Sequence, residues 1–197
     1  MSLKVETSPG FFLMLALLLY LDGGLIFWAA LSAALLHELA HCTAAQAFGA
    51  KIRCLRLTAA GAEMELYQQR PLSYPAEFII ALSGPLANLV LAFALANLPV
   101  PNRFLLAGVH LSLGTFNLLP VEPLDGSQLL RIILSVVRNP QWGQRSAKAL
   151  SLSLSVAVTA LGLMLLRRSA NPSLLVTGLW LLSRNLPKRQ KTPRSHQ

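Results

Sequence analysis

Residues 24–48 read GLIFWAALSAALLHELAHCTAAQAF, an apolar run long enough to cross a bilayer, which takes about 20 helical residues. The rest of the chain is similar, with 54% hydrophobic and 13% charged residues and a mean hydropathy of +0.53. A soluble domain carries about 25% charged residues. The composition therefore predicts a polytopic membrane protein.

Further apolar runs precede and follow this one. They cover residues 11–21, 76–98, 104–119, 147–166 and 173–182. The pattern predicts an all-α polytopic membrane protein with about six transmembrane helices. Several runs are shorter than a perpendicular span requires, and whether the first one crosses completely stays open.

The basic residues indicate how the chain is oriented. If the amino terminus is cytosolic, all but Arg103, Arg167 and Arg168 of the 17 Lys and Arg residues lie on the cytosolic side. This bias predicts cytosolic termini, a single transmembrane domain over residues 1–186 and a basic, disordered cytosolic tail over 187–197. The net charge of +9 does not indicate nucleic-acid binding, because the basic residues flank apolar runs without interleaved aromatic residues.

A short amphipathic segment lies between the second and third runs. Its apolar residues alternate with acidic ones in the order Ala62, Glu63, Met64, Glu65, Leu66. Such alternation predicts a strand with one solvated face, and the preceding KIRCLRL is its candidate partner. We expect a small β-hairpin at the cytosolic membrane surface.

The opening run contains HELAH, with His37 and His41 four residues apart and Glu38 beside the first histidine. On a helix the two histidines differ in direction by a net of about 40°, so both imidazoles can reach one ion. Glu38 can address a water on that ion without being a ligand. Ionisable groups at membrane depth are costly and are functional by default, so we interpret this motif as a zinc site.

A hydrolytic zinc site needs a third protein ligand and one open position. Asp125 is the best candidate by elimination, because Pro120 and Pro123 force irregular backbone where an apolar run ends. Glu122 is the alternative ligand, although a loop charge facing the cytosol explains it more simply. His110, in the middle of a run, is more readily explained as a hydrogen-bonded helix residue.

The segment SGPLAN places a further irregularity at the same depth. Pro85 would free the carbonyl of Ala81, and Asn88 would add a polar side chain to the same cavity. The Gly84–Pro85 pair is equally well explained by helix packing alone.

The motifs HELAH, SGPLANL and FNLLPVEPLDG, in this order, resemble those of the site-2 protease family of intramembrane zinc metalloproteases. The resemblance covers residues 24–131 with specific motifs. It is strongest to the compact bacterial branch that includes the sporulation sigma-factor-processing protease. It implies a multi-pass protein of the bacterial cytoplasmic membrane, with a membrane-associated sheet between the second and third helices.

The resemblance also implies roles for individual residues. His37, His41 and Asp125 would bind one Zn²⁺ per chain, and Glu38 would be the general base and acid. Asn117, in the Asn-x-x-Pro stretch, would position substrate or stabilise the oxyanion, and we expect Asn88 to face the same cavity.

These observations predict an intramembrane zinc metalloprotease. It would hydrolyse a peptide bond in or near a membrane-spanning segment of a membrane-anchored protein, close to the cytosolic face, with a membrane regulatory protein as a further partner. The unwound substrate would pair as an added strand along 62–66. A membrane metal-ion transporter is the alternative, but the ionisable groups cluster at one depth instead of following a pathway. The sequence leaves the substrate, the regulator, the oligomeric state and a role in sporulation open.

Overall fold

The computed structural model describes residues 4–7, 16, 19, 20, 24–58, 61–67, 71–169 and 172–186. Most of the apolar run 11–21 and the tail 187–197 lie outside this part. The described elements are, in chain order, β1 (Lys4–Thr7), α1 (Leu25–Ala47), β2 (Lys51–Thr58), β3 (Gly61–Tyr67), α2 (Tyr74–Asn97), α3 (Arg103–Asn117), α4 (Asp125–Val137), α5 (Pro140–Ser169) and α6 (Ser173–Asn185).

The predicted helical character is confirmed, and within the described part three helices are long and apolar enough to cross a membrane. These spans are Leu25–Ala47, Tyr74–Asn97 and Pro140–Arg168. Helices α3 and α6 have 15 and 13 residues, fewer than a perpendicular span of about 20. The total of about six transmembrane helices therefore stays a prediction.

Helix α1 turns a narrow stripe of small side chains and two histidines toward its neighbours. The buried residues follow a four-residue spacing through Ala29, Ala33, His37, His41 and Ala45. Large apolar residues of the same helix are exposed, as expected for a lipid-facing surface. The stripe lets the next helix come close while the two imidazoles share one face.

Helix α2 is the central element and packs against α1, α3 and α4. Gly84 is what allows its close approach to α1. A Cβ atom added there would lie 2.7 Å from Cε1 of His41 and 2.8 Å from Cε1 of His37. The helix continues through Pro85, so the Gly-Pro pair brings backbone close to the histidines without ending the helix.

The backbone between α3 and α4 is irregular, as the prolines predict, but the helix that follows was not predicted. Helix α4 begins at Asp125 and buries Leu129 and Ile132, while Ile133 and Val136 are exposed. Polar residues interrupt this segment, so a search for apolar runs does not detect an amphipathic helix of 13 residues.

The strands form one sheet in the order β1-β2-β3. Strands β2 and β3 are antiparallel, with Ile52 opposite Leu66 and Leu57 opposite Ala62. Strand β1 pairs in parallel with β2 and was not predicted. Strand β3 lies at one end of this order, and the position of the sheet at a membrane surface stays a prediction.

Candidate metal centre

Three potential ligand atoms from two helices converge at one point. Nε2 of His37 lies 3.1 Å from Oδ2 of Asp125, Nε2 of His41 lies 3.3 Å from the same oxygen, and the two nitrogens are 3.1 Å apart. Both histidines are buried and Asp125 is partly buried. The structure thus brings together the three residues that the sequence predicts as ligands, although Asp125 lies 84 positions after His41 in the chain.

The arrangement fits zinc. Ligand atoms about 2.0–2.2 Å from a tetrahedral zinc ion lie roughly 3.3–3.6 Å from one another. The observed separations of 3.1 to 3.3 Å are close to that range. Two imidazole nitrogens and one carboxylate oxygen are also a donor set found in hydrolytic zinc sites, which keep a fourth position for water. His37, His41 and Asp125 are therefore suited to hold the ion.

The ring of His41 is fixed from its other side. Its Nδ1 lies 2.7 Å from the carbonyl oxygen of Ile80, to which the N–H can donate. The hydroxyl of Ser83 also donates to this carbonyl, at 2.7 Å. A proton held on Nδ1 leaves Nε2 free to coordinate a metal. The carbonyl involved is that of Ile80, one residue before the Ala81 carbonyl considered in the sequence analysis.

The ring of His37 is contacted by a different kind of group. Its Nδ1 lies 3.1 Å from the side-chain amide of Asn88, whose other end lies 3.0 Å from Nδ1 of His110. Asn88 is completely buried and His110 is 4% exposed. The sequence predicts that Asn88 faces the cavity, but it contains no signal that connects His110 to the ligand histidines.

Glu38 is partly buried on α1, adjacent to the ligand group. It interacts electrostatically with His41, His37 and Asp125. This position is compatible with a carboxylate that exchanges protons with a water molecule at the ion.

Asp125 enters the site at the start of α4, where the backbone is tightly packed. A Cβ atom on Gly126 would collide with the carbonyl group of Leu118, so only glycine fits there. The hydroxyl of Ser127 donates to the carbonyl of Leu124 at 2.8 Å. The loop before α4 and the first turn of α4 are therefore packed together, and together they fix the position of the Asp125 carboxylate.

A second polar cluster, absent from the sequence analysis, fixes the loop before Asp125. The amide of Asn185 donates to the carbonyl of Glu122 at 3.1 Å and accepts a hydrogen bond from Ser151 at 2.5 Å. Ser151 in turn accepts the backbone N–H of Glu122 at 2.7 Å, and Ser155 accepts from the amide at 3.1 Å. The sequence feature that could have indicated this cluster is the pair Ser151 and Ser155, which lie four residues apart in an apolar helix.

The remaining predicted site residues lie outside the ligand group. Asn117 donates to the carbonyl of Leu113 in its own helix at 3.1 Å, and its role in substrate positioning stays a prediction. Glu122 contributes backbone atoms to the cluster around Asn185. The structure joins Asp125, the preferred candidate, to the histidines. The predicted substrate strand 62–66 lies within β3.

Comparisons with known proteins identify related sequences. The model of peptidase family M50 matches residues 99–162, which include Asp125. A zinc metalloprotease of Methanocaldococcus jannaschii is 30% identical over 151 residues, covering 68% of this chain and 44% of that protein. Stage IV sporulation protein FB of Bacillus subtilis is 33% identical over 141 residues, covering 68% and 48%. The chain thus spans less than half the length of these relatives.

A solved structure shares the fold. The site-2 protease from Methanocaldococcus jannaschii superposes with a TM-score of 0.71 at 25% identity, covering 94% of this chain and 90% of that one. The sequence matches and the common fold together confirm the resemblance drawn from HELAH, SGPLANL and FNLLPVEPLDG. The chain is thus similar in both sequence and fold to the site-2 protease family, peptidase family M50.

Proposed function

We propose that the protein is an intramembrane zinc metalloprotease that hydrolyses a peptide bond in or near a membrane-spanning segment of a membrane-anchored protein. The observation that carries the proposal is the convergence of His37, His41 and Asp125 within 3.1 to 3.3 Å of one another, among apolar helices and next to Glu38. The similarity to a relative that is named a zinc metalloprotease also supports the proposal.

The residues divide the chemistry between them. His37, His41 and Asp125 would hold one zinc ion per chain, which when bound would supply a Lewis acid and lower the pKa of water toward about 7. Glu38 accepts the proton of the attacking water and delivers it to the leaving amine. The Nδ1–H of His41, anchored on Ile80, keeps that ring oriented throughout the reaction.

The depth of the site supports cleavage near one membrane face. His41 lies six positions, or about 9 Å, before the end of α1 at Ala47. The bias of basic residues supports a cytosolic location for this face and for both termini. The protein then acts in a bacterial cytoplasmic membrane, which the Bacillus relative supports, with a membrane regulatory protein as a further partner.

Substrate recognition follows from the sheet. A membrane-spanning helix must unwind before its carbonyls can be attacked, and an edge strand can replace the lost backbone hydrogen bonds. Strand β3 lies at the end of the described sheet order and supports such pairing. A proline at Met64 would remove one backbone N–H from β3. We expect Met64→Pro to slow cleavage at unchanged zinc content, and an unchanged cleavage rate would exclude strand addition.

The central test compares wild type with Glu38→Gln in detergent. Both proteins are assayed for bound zinc by mass spectrometry and for cleavage of candidate membrane-tethered proteins. Glu122→Gln is the matched control, because it makes the same chemical change at a residue that contributes backbone contacts to the Asn185 cluster. We expect about one zinc per chain in all three and cleavage in wild type and the control only.

Two outcomes would contradict the proposal. Cleavage by Glu38→Gln at the wild-type rate would remove this carboxylate from the mechanism. Zinc flux into liposomes by wild type, without cleavage of any substrate, would favour the metal-ion transporter that the sequence analysis kept as its alternative.

A further inference from the structure

Three buried residues from three helices form a chain that ends at the candidate metal centre. His110 on α3 lies 3.0 Å from one end of the Asn88 amide on α2, and the other end lies 3.1 Å from Nδ1 of His37 on α1. Asn88 has no exposed surface, and the two histidines are 4% exposed each. The proposed hydrolysis uses His37 but assigns nothing to the other two residues.

Metal binding by His37 restricts this chain. When Nε2 of an imidazole coordinates a metal, the proton of the neutral ring resides on Nδ1, which then needs an acceptor. Only the oxygen of the Asn88 amide can accept this proton, because its nitrogen is a donor. In the structure the amide nitrogen of Asn88 faces His37 and its oxygen faces His110. A rotation of the amide by 180° exchanges the two atoms at nearly the same positions, so the same heavy-atom geometry accommodates the orientation that metal binding requires.

The opposite end of the amide determines whether that orientation is stable. With its oxygen toward His37, Asn88 presents its NH₂ group to Nδ1 of His110, 22 positions away in the chain. Nδ1 accepts this hydrogen bond if the neutral ring of His110 carries its proton on Nε2. Without an acceptor at position 110, the NH₂ group would be buried and unsatisfied, at a cost of about 1–3 kcal/mol.

We propose that His110 is a positioning residue for the metal ligand His37. It accepts a hydrogen bond from Asn88 and thereby holds the amide oxygen on the Nδ1–H of His37, which keeps Nε2 aimed at the ion. The inference rests on the proposed zinc site, and it adds one helix, α3, to the elements that define zinc affinity.

A purely packing role for His110 makes a different prediction, and a change at Asn88 separates the two. A carboxylate has an oxygen at each end, so Asn88→Asp presents an acceptor to His37 in either orientation. His110 is then no longer needed to select the orientation of the side chain at residue 88. Loss of His110 should weaken zinc binding when residue 88 is the native asparagine and have little effect in the Asn88→Asp background.

The experiment measures zinc dissociation constants by competition with a fluorescent chelator, using the full chain purified in detergent. The variants are His110→Phe, His110→Asn, Asn88→Asp and the double variant of His110→Phe with Asn88→Asp. We expect His110→Phe to weaken zinc binding by about 10- to 100-fold. His110→Asn, whose amide oxygen can occupy roughly the place of Nδ1, should recover most of the affinity.

In the Asn88→Asp background we expect His110→Phe to change the dissociation constant by less than about threefold, because no amide orientation remains to be selected. Thermal unfolding of each variant shows that it is folded. His110→Leu replaces His110→Phe if the larger ring prevents folding.

Equal weakening in both backgrounds would show that His110 only packs, and would overturn the inference. An unchanged dissociation constant in His110→Phe would overturn it as well. A wild-type protein that binds no zinc would instead refute the proposed function on which the inference depends, so the two failures are distinguishable.

Discussion

Two buried polar networks lie between the helices. In one, every polar group is paired within the network, which we call closed; the other, which we call open, ends at the candidate metal centre. The network around Asn185 satisfies its members internally, because hydroxyl, amide and backbone groups all pair within α5, α6 and the Glu122 loop. The network of His110, Asn88 and His37 instead ends in a nitrogen that faces another nitrogen and a carboxylate. A closed network stabilises a fold, whereas one that ends in convergent ligand atoms is prepared for an ion.

Both networks obey the same constraint. Among the described residues, no buried side-chain nitrogen or oxygen lacks a hydrogen-bond partner. Unsatisfied polar groups are expensive in a protein interior and more so in lipid. Variants of the two networks should therefore separate two quantities, zinc affinity and stability.

Gly84→Ala should have the largest effect on the open network. The added methyl group would approach ring atoms of both His41 and His37 to within 3.0 Å, which forces α1 and α2 apart. Such overpacking costs about 1–3 kcal/mol. We expect zinc affinity to fall by at least about tenfold, as measured by chelator competition.

Gly108→Ala is the matched control, because a Cβ atom there has no neighbour within 4 Å. Replacing this helical glycine should leave zinc affinity unchanged and raise stability by up to about 1 kcal/mol. An equal loss of zinc affinity in both variants would show that the methyl group at residue 84 does not act through the histidines.

Asn185→Leu should mainly affect stability. It removes the contacts of the amide with Ser151, Ser155 and the carbonyls of Glu122 and Leu181. At about 0.6 kcal/mol for each hydrogen bond between membrane helices, the loss is roughly 2 kcal/mol. We expect a lower midpoint of thermal unfolding in detergent, with one zinc still bound per chain at saturating zinc.

Asn97→Leu serves as its control, because Asn97 is an exposed residue that donates to a carbonyl of its own helix. This change should alter stability by less than about 0.5 kcal/mol. A midpoint in Asn185→Leu equal to that of the control would mean that the closed network contributes nothing measurable.

Ser83→Ala should have the smallest effect. The hydroxyl lies 3.4 Å from Nδ1 of His41 and donates to the carbonyl of Ile80, but the imidazole itself remains within 2.7 Å of that carbonyl. We expect zinc affinity to change by less than about threefold, since the acceptor that orients the ring is retained. A tenfold loss would reveal that the hydroxyl, and not the carbonyl, orients His41.

The sequence was most informative where local geometry determines the answer. The positions of His37 and His41 on one helix face follow from the helical repeat. The selection of Asp125 followed from prolines that interrupt an apolar run and from the few carboxylates available. Both inferences depend on residue type and short spacing, and the structure brings all three side chains together.

The sequence was least informative where distant segments meet. The pairing of β1 with β2 joins residues 50 positions apart, such as Lys4 and Cys54, through backbone hydrogen bonds that carry no sequence signal. The contacts of Asn185 with Ser151 and of His110 with Asn88 join different helices. Which residues meet in such contacts depends on how each helix is rotated and packed against its neighbours. The apolar pattern of a single helix does not specify this.

The parallel pairing of β1 with β2 bears on how the orientation of this protein can be tested. Because Val5 lies opposite Leu55, strand β1 shares a compartment with strand β2, which follows α1. An epitope tag placed ahead of Lys4 therefore reports the sidedness of that segment as well. Antibody access before and after permeabilisation of cells would establish both orientations in one assay.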